Sequence, residues 1–242
     1  MAAMYVSFWL GFLFKLDPLV TWIAAGAFLF ILSVLSYKLV VKRTMGKAMA
    51  PLLATFGLSM LIKNFAMNRF TPNFRILSDT VMDGKSIIFG EVVIPVPQFV
   101  VGIFSLVVLG ALYLFLTRTR FGWAVQATAM DAEAARLMGV NTERIFLLVF
   151  GIGGACVGVA GGLLPSYLAT HPDIGTLFGL IAFMVVALGG FGSIPGALLA
   201  ALIIGLVESL AGFYFAPVYK YVAVFGIYLV VILVRPKGLF GW

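Results

Sequence analysis

Charged residues are scarce in this 242-residue chain: 10% are Asp, Glu, Lys or Arg, whereas 63% are hydrophobic, and the mean hydropathy is +1.15. So few charges exclude a water-soluble domain of ordinary composition. The single cysteine, Cys156, excludes an intrachain disulfide and a cysteine metal cluster, and the single histidine, His171, has no second ligand nearby. The sequence therefore predicts an all-α integral membrane protein, in which no metal and no cofactor is expected.

Sequence motifs for catalysis are also missing. The chain contains neither the G-x-x-x-x-G-K-[ST] pattern that binds nucleotide phosphates nor H-E-x-x-H. An intramembrane enzyme needs catalytic side chains that converge within its spans, and the chain has few candidates. We expect a protein that is not an enzyme.

The apolar residues fall into runs that leave room for about seven to eight transmembrane helices of roughly 20 residues each. The candidate spans are residues 1–14, 18–41, 48–67, 97–117, 145–168, 177–189, 195–213 and 219–234. The first of these is short for a full crossing.

The formal charge of +7 is distributed in short clusters beside the spans. These clusters comprise Lys42, Arg43 and Lys47, then Arg118, Arg120, Arg136 and Arg144, then Arg235 and Lys237. Alternation of the spans places all three clusters on one side, which the positive-inside rule makes cytoplasmic. We therefore expect a multi-pass protein with both termini inside, a cytoplasmic loop at 118–144 and an external loop at 68–96. The positive charge is assigned to the membrane orientation, and no nucleic-acid partner is expected.

Residues 131–139, DAEAARLMG, form a polar patch of good helix formers that ends in a glycine. The arrangement resembles the EAA loop of ABC-transporter permeases, with Glu133, Ala134, Ala135 and Gly139 at the matching positions. That resemblance implies that these four residues couple the membrane helices to an ATPase; the alternative is an ordinary interfacial helix. We expect a helix at about 128–138, followed by a span that Asn141 caps.

Two glycine-rich regions stand within the apolar sequence. Gly154, Gly158 and Gly162 share one helix face at four-residue spacing, which favours close helix packing. Residues 189–196 combine glycines with a serine and a proline, which break a helix; within this segment Gly189, Gly190, Gly192 and Ser193 are the candidate pathway or hinge residues. A tight turn at the membrane edge is the alternative.

Several motifs in register resemble one family. These are RLMGVN from Arg136, AGGLL from Ala160, ALGGFGSIPGAL from Ala187, GLVES from Gly205 and RPKGLFG from Arg235. They look like the LivH-type permeases of branched-chain amino acid ABC importers.

The resemblance implies a type II ABC importer-like permease that depends on ATP hydrolysis in a partner subunit and forms a single transmembrane domain over 1–242. A stand-alone channel or secondary carrier is the alternative. It also implies ABC ATPase subunits, a second LivM-like permease subunit and a periplasmic substrate-binding protein as partners, in the lipid bilayer of a bacterial inner membrane. Leucine, isoleucine and valine are the implied substrates, although permeases for other amino acids, urea and short amides look similar.

The chain departs from the family at its beginning. Such permeases usually have a further apolar helix and an Asn-Phe-Ala-His-Gly-like stretch before the segment that matches MYVSF from Met4. We therefore expect a first span and part of a second to be lacking, through either a misassigned start or a shortened copy.

Lys63 and Glu208 are charged side chains that stand well inside apolar runs. A lone charge in a membrane span costs about 3 kcal/mol on insertion scales, which makes Glu208 a functional candidate. The alternative is a position near the outer end of its span, and Lys63 can extend outward in the same way.

Overall fold

The computed structural model describes residues 1–15, 17–45, 49–70, 73–76, 86–89, 92–215, 219–235 and 238–240. Lys47 and Lys237 of the predicted basic clusters, the first residue of the span 48–67 and much of the external loop 68–96 lie outside these ranges. The chain divides into two units, Met1–Asp173 and Ile174–Trp242. The prediction of a single permease domain stays a prediction.

The first unit is helical apart from one hairpin within its described residues. Its elements are α1 (Ala2–Phe14), α2 (Pro18–Ser36), a π-helical turn (Tyr37–Val41), α3 (Lys42–Thr44), α4 (Ala50–Phe70), β1 (Ser86–Phe89), β2 (Val92–Pro95), α5 (Val96–Arg118), α6 (Arg120–Met130), α7 (Ala132–Leu137), α8 (Thr142–Leu163) and a 3-10 turn (Leu164–Ser166). Strands β1 and β2 pair antiparallel, with Ser86 opposite Pro95 and Phe89 opposite Val92.

Helices α2 and α8 form the centre of this unit and run in opposite directions. Ser33 lies beside Gly154 of α8, and Trp22, earlier in α2, lies beside Gly162. Helix α1 packs on both: the Ser7 hydroxyl donates to the carbonyl of Gly162 at 2.8 Å and lies 2.5 Å from the hydroxyl of Thr21. These bonds satisfy polar groups that would otherwise be buried unpaired.

The two ends of the first unit differ in their contacts. At one end, Lys42 after α2 pairs with Glu143 in the first turn of α8. At the other, the backbone of Arg75 exchanges two hydrogen bonds with that of Thr170, at 3.0 and 2.8 Å. Each end thus joins segments that the alternating topology places on one side. Which end faces the cytoplasm stays a prediction.

The second unit contains α9 (Ile174–Gly189), α10 (Ile194–Tyr214) and α11 (Tyr219–Val234). Met184, Ile204 and Val224, one from each helix, form its buried core. Apolar contact among the three helices is the main stabilising term, because the described part of this unit has few polar contacts between helices.

In the part of the chain that the structure describes, five helices are long and apolar enough to cross a membrane: Pro18–Thr44, Ala50–Phe70, Val96–Arg118, Thr142–Ser166 and Ile194–Tyr214. Three shorter apolar helices, Ala2–Phe14, Ile174–Gly189 and Tyr219–Val234, complete the set among the described residues. Each corresponds to one predicted span, with ends that differ by a few residues. The all-α membrane fold is confirmed, whereas the number of crossings stays a prediction.

Candidate functional site

The polar segment between α5 and α8 folds as two helices joined at a sharp break. The prediction of one helix over 128–138 is wrong, because Thr128 belongs to α6 and the chain is extended at Asp131. The Asp131 carboxylate accepts hydrogen bonds from the backbone N–H groups of Glu133 and Ala134, at 2.9 and 3.0 Å. It therefore caps α7 as a separate helix.

Helix α7 ends in a Schellman motif. Gly139 adopts a φ of 85°, its N–H donates to the carbonyl of Arg136, and the N–H of Val140 donates to the carbonyl of Ala135. Two residues later, Asn141 accepts a hydrogen bond from the N–H of Arg144, which confirms it as the cap of α8. The turn between α7 and α8 is therefore short and held by three hydrogen bonds.

The side chains of this segment divide between an inward and an outward face. Ala135 is 6% exposed and packs against the rest of the unit, whereas Glu133, Ala134 and Gly139 are exposed. The adjoining apolar side chains of Met130, Leu137 and Met138 are 88%, 84% and 85% exposed. Exposed apolar side chains beside charged ones are common at interaction surfaces, and a role of Glu133, Ala134, Ala135 and Gly139 in coupling to an ATPase stays a prediction.

The three glycines of α8 face α2 at very short range. A Cβ at Gly158 would lie 2.7 Å from the carbonyl oxygen of Ala25, and one at Gly162 would lie 2.8 Å from the Cα of Trp22. Gly154 is similarly close to the side chain of Ser33. Glycine at these positions lets the two backbones approach closely.

In the second unit, residues 189–196 form the turn between α9 and α10. Gly190 and Gly192 have φ values of 96° and 86°, a region that favours glycine. The Ser193 hydroxyl caps α10 by accepting from the N–H of Gly196 at 3.1 Å. The geometry is that of a tight turn, and a pathway or hinge role for Gly189, Gly190, Gly192 and Ser193 stays a prediction.

The end of the chain docks on this turn, a contact that the sequence did not predict. The N–H groups of Leu239 and Phe240 donate to the carbonyls of Leu188 and Gly189, at 2.8 and 3.1 Å. They satisfy carbonyls that the end of α9 leaves without a helical partner. Backbone bonds of this kind leave no side-chain pattern by which sequence could have found them.

Lys63 and Glu208 both have ion-pair partners. Glu208 pairs with Lys220 at 3.0 Å, so a structural ion pair between α10 and α11 accounts for it. Lys63 pairs with Asp173 at 2.5 Å, and its ammonium holds the pKa of that carboxyl below the usual range. His171 lies against the ring of Phe74, and the described residues contain no group of side chains suited to a metal ion.

These features define a class of protein: a multi-helix membrane protein with a short, capped helix exposed between two spans. Residues 1–233 match the family model described as branched-chain amino acid transport system / permease component. The chain belongs to this family.

Its relatives are transport permeases. The chain is 36% identical over 202 residues to the high-affinity branched-chain amino acid transport system permease protein BraD of Pseudomonas aeruginosa, and 34% identical over 201 residues to LivH of Escherichia coli; each match covers 81% of this chain. The chain spans 65% of the length of these relatives. The xylose transport system permease protein XylH of Escherichia coli is 38% identical over 112 residues, or 43% of this chain and 28% of XylH. No solved structure matches the chain.

Proposed function

We propose that this chain is the membrane-spanning permease subunit of an ABC importer for branched-chain or related amino acids, driven by ATP hydrolysis in a partner subunit. The observation that carries the proposal is the family match over residues 1–233. The partners are ABC ATPase subunits, a second permease subunit and a periplasmic binding protein, in a bacterial inner membrane. In this role the chain moves its substrate without catalysing a reaction on it.

Helix α7 is the segment that docks on the ATPase in this proposal. Its outward face presents Glu133 beside the exposed Leu137 and Met138, which suits insertion into a groove with an apolar floor and a basic rim. The buried Ala135 packs α7 against the rest of the first unit. A movement of the ATPase can therefore displace α7 without separating it from the rest of the first unit.

The connections of α7 suit the transmission of that movement to α8 and α2. The bonded turn from Gly139 to Asn141 links α7 to α8 with little slack, and the glycine face of α8 joins it closely to α2. Closely packed helices with short, hydrogen-bonded connections tend to move as one body. We expect ATP binding and release to shift the α2–α8 pair together.

The proposals for the substrate and for its path through the membrane are based on other observations. BraD and LivH are named for branched-chain amino acids, whereas XylH is named for xylose, so similarity in the shared region does not by itself fix the substrate. Residues 189–196 remain the proposed hinge beside the pathway. There the substrate would meet backbone dipoles and the Ser193 hydroxyl.

Copurification tests the proposed partner. The chain is expressed with an ABC ATPase and a second permease subunit from the same organism, and the amount of ATPase that copurifies is measured. A Met138→Glu variant should lose most of the ATPase, because the charge would have to enter an apolar contact. The matched variant Ile76→Glu, also at an exposed apolar residue but at the opposite end of the unit, should keep it. Equal ATPase recovery from both variants would contradict docking through α7.

A further inference from the structure

Helix α6 turns back on the end of α5 instead of continuing along its axis. The indole N–H of Trp123 donates to the carbonyl of Thr117 at 3.0 Å. The side-chain amide of Gln126 donates to the carbonyl of Leu116, also at 3.0 Å. Gly122 brings the two backbones together, since a Cβ there would lie 2.2 Å from the Leu116 carbonyl oxygen. Because both acceptors belong to the last turn of α5, whose carbonyls lack further helical partners, these bonds hold the first two turns of α6 at the end of α5.

The end of α5 lies at the membrane boundary. This helix has 23 residues and is a candidate membrane span. Its length of about 34 Å slightly exceeds the hydrocarbon core of a bilayer, which is about 30 Å thick. The last turn of α5, which ends at Arg118, therefore lies among the lipid head groups. Since α6 is bonded to that turn, its first two turns lie at the same depth.

The exposed side chains of α6 form one stripe along the helix. Its members stand three or four residues apart and are all exposed: Arg120, Trp123, Ala127 and Met130. The buried residues Gly122 and Thr128 lie on the opposite side. Trp123 is 60% exposed, and because its N–H already has an acceptor, the stripe presents the aromatic ring. A tryptophan beside an arginine on one exposed helix face is typical of a helix in the membrane interface.

Arg118 and Arg120 add two positive charges at this depth. Both are exposed, and no carboxylate among the described residues forms an ion pair with either. The next acidic residue along the chain, Asp131, is engaged in the cap of α7. Guanidinium groups bind phosphate through paired, charge-assisted hydrogen bonds. We propose that Arg118 and the exposed stripe of α6 bind the head groups of anionic phospholipids, with the phosphates on the two arginines and the Trp123 ring among the head groups. The proposal needs the membrane fold but not the transport role.

Fluorescence quenching tests where the stripe lies. In the full chain with Cys156→Ala, Ala127→Cys is labelled with a nitrobenzoxadiazole fluorophore. The protein is reconstituted in liposomes of phosphatidylglycerol and phosphatidylcholine, part of whose lipid carries a nitroxide near the head group. We expect strong quenching at position 127. The same label on Ala134→Cys, also at an exposed alanine but on α7, is the control and should be quenched much less. Quenching at 127 no greater than at 134 would leave the stripe to a soluble partner such as the ATPase and overturn the proposal.

The charge of the lipid tests the two arginines. The nitroxide is carried by phosphatidylglycerol in one sample and, at the same level, by phosphatidylcholine in the other. Phosphatidylglycerol should be enriched at position 127 by about fivefold for each arginine that contributes. Arg118→Gln with Arg120→Gln should remove this preference, whereas Arg118→Lys with Arg120→Lys should keep much of it.

A second double variant controls for net charge. Arg43→Gln with Arg136→Gln removes the same charge from exposed residues outside α5 and α6, and it should leave the preference for phosphatidylglycerol unchanged. Equal quenching by the two lipids in the chain that keeps its arginines would overturn the proposal. A preference that survives Arg118→Gln with Arg120→Gln would do the same.

Discussion

Lys42 and Glu143 form an ion pair that joins the end of the α2–α3 span to the first turn of α8. Lys42 follows directly on the π-helical turn Tyr37–Val41, and Glu143 comes four residues after the Gly139 turn. The pair therefore links α2 to the segment that is proposed to dock on the ATPase. Both side chains are largely exposed, so its role concerns geometry more than stability.

Reversal of each charge tests that link. Glu143→Lys should lower transport, because two ammonium groups would then repel at the junction of α2 and α8. The double variant Lys42→Glu with Glu143→Lys should recover much of the loss, since the attraction is restored with opposite signs. Transport is measured as amino acid uptake at matched amounts of membrane-inserted protein. No recovery in the double variant would show that the two residues act independently.

The Gly139 turn gives a sharper test of coupling. Gly139→Val should cost about 1–2 kcal/mol at a φ of 85°, because a β-branched residue is strained there. Nothing lies within 4 Å of a Cβ at this position, so the effect would come from the backbone alone. Gly139→Asn is the matched variant, since asparagine tolerates this conformation. We expect uptake to fall for valine and to persist for asparagine, with both proteins inserted normally; equal uptake would argue that coupling lies elsewhere.

The glycine face of α8 predicts opposite effects at two nearby positions. Gly158→Ala should destabilise the protein by about 1–3 kcal/mol, because the new methyl would lie 2.7 Å from the backbone of Ala25 and Gly26. Gly153→Ala meets nothing within 4 Å and should be neutral or stabilising. Melting temperatures of the two variants in the same detergent provide the comparison. Similar melting temperatures would mean that α2 and α8 do not pack this closely in the membrane.

Cysteine scanning tests the proposed hinge at 189–196. In a chain with Cys156 replaced by alanine, single cysteines at Gly190, Gly192 and Ser193 are treated with a small membrane-impermeant thiol reagent. All three should react, and the rate should change with nucleotide; the exposed position 192 should react fastest and the buried position 190 slowest. Gly205→Cys, within the span formed by α10, is the unreactive control. If all three positions stay unreactive in every nucleotide state, the segment is a packed turn outside the pathway.

The sequence predicts the helices well because span length and capping are local properties. The eight apolar runs correspond to eight apolar helices among the described residues, and Asn141 caps α8 as its position before Glu143 indicates. The break at Asp131 escaped prediction, because the alanine-rich residues on either side favour helix and conceal the cap. The π-helical turn after Ser36 has no sequence signature at all.

Contacts between distant segments could not be predicted in the same way. The bridge between Arg75 and Thr170 and the docking of Leu239 on Leu188 are made by backbone groups, whose partners depend on the tertiary fold. The partner of Glu208 is a similar case. The energetic cost of the Glu208 charge within an apolar run is evident from the sequence. Only the fold, however, brings the ammonium of Lys220 to 3.0 Å from the Glu208 carboxylate.

ATP-dependent uptake is the measurement that tests the central claim most directly. The complex of this chain with its ATPase, second permease subunit and binding protein is reconstituted in liposomes, and accumulation of radiolabelled leucine is followed with ATP. We expect uptake that stops when the ATPase carries a substitution that blocks hydrolysis, while the subunits remain assembled. Uptake that continues at the same rate with that ATPase, or in its absence, would contradict the account and indicate a stand-alone channel or secondary carrier.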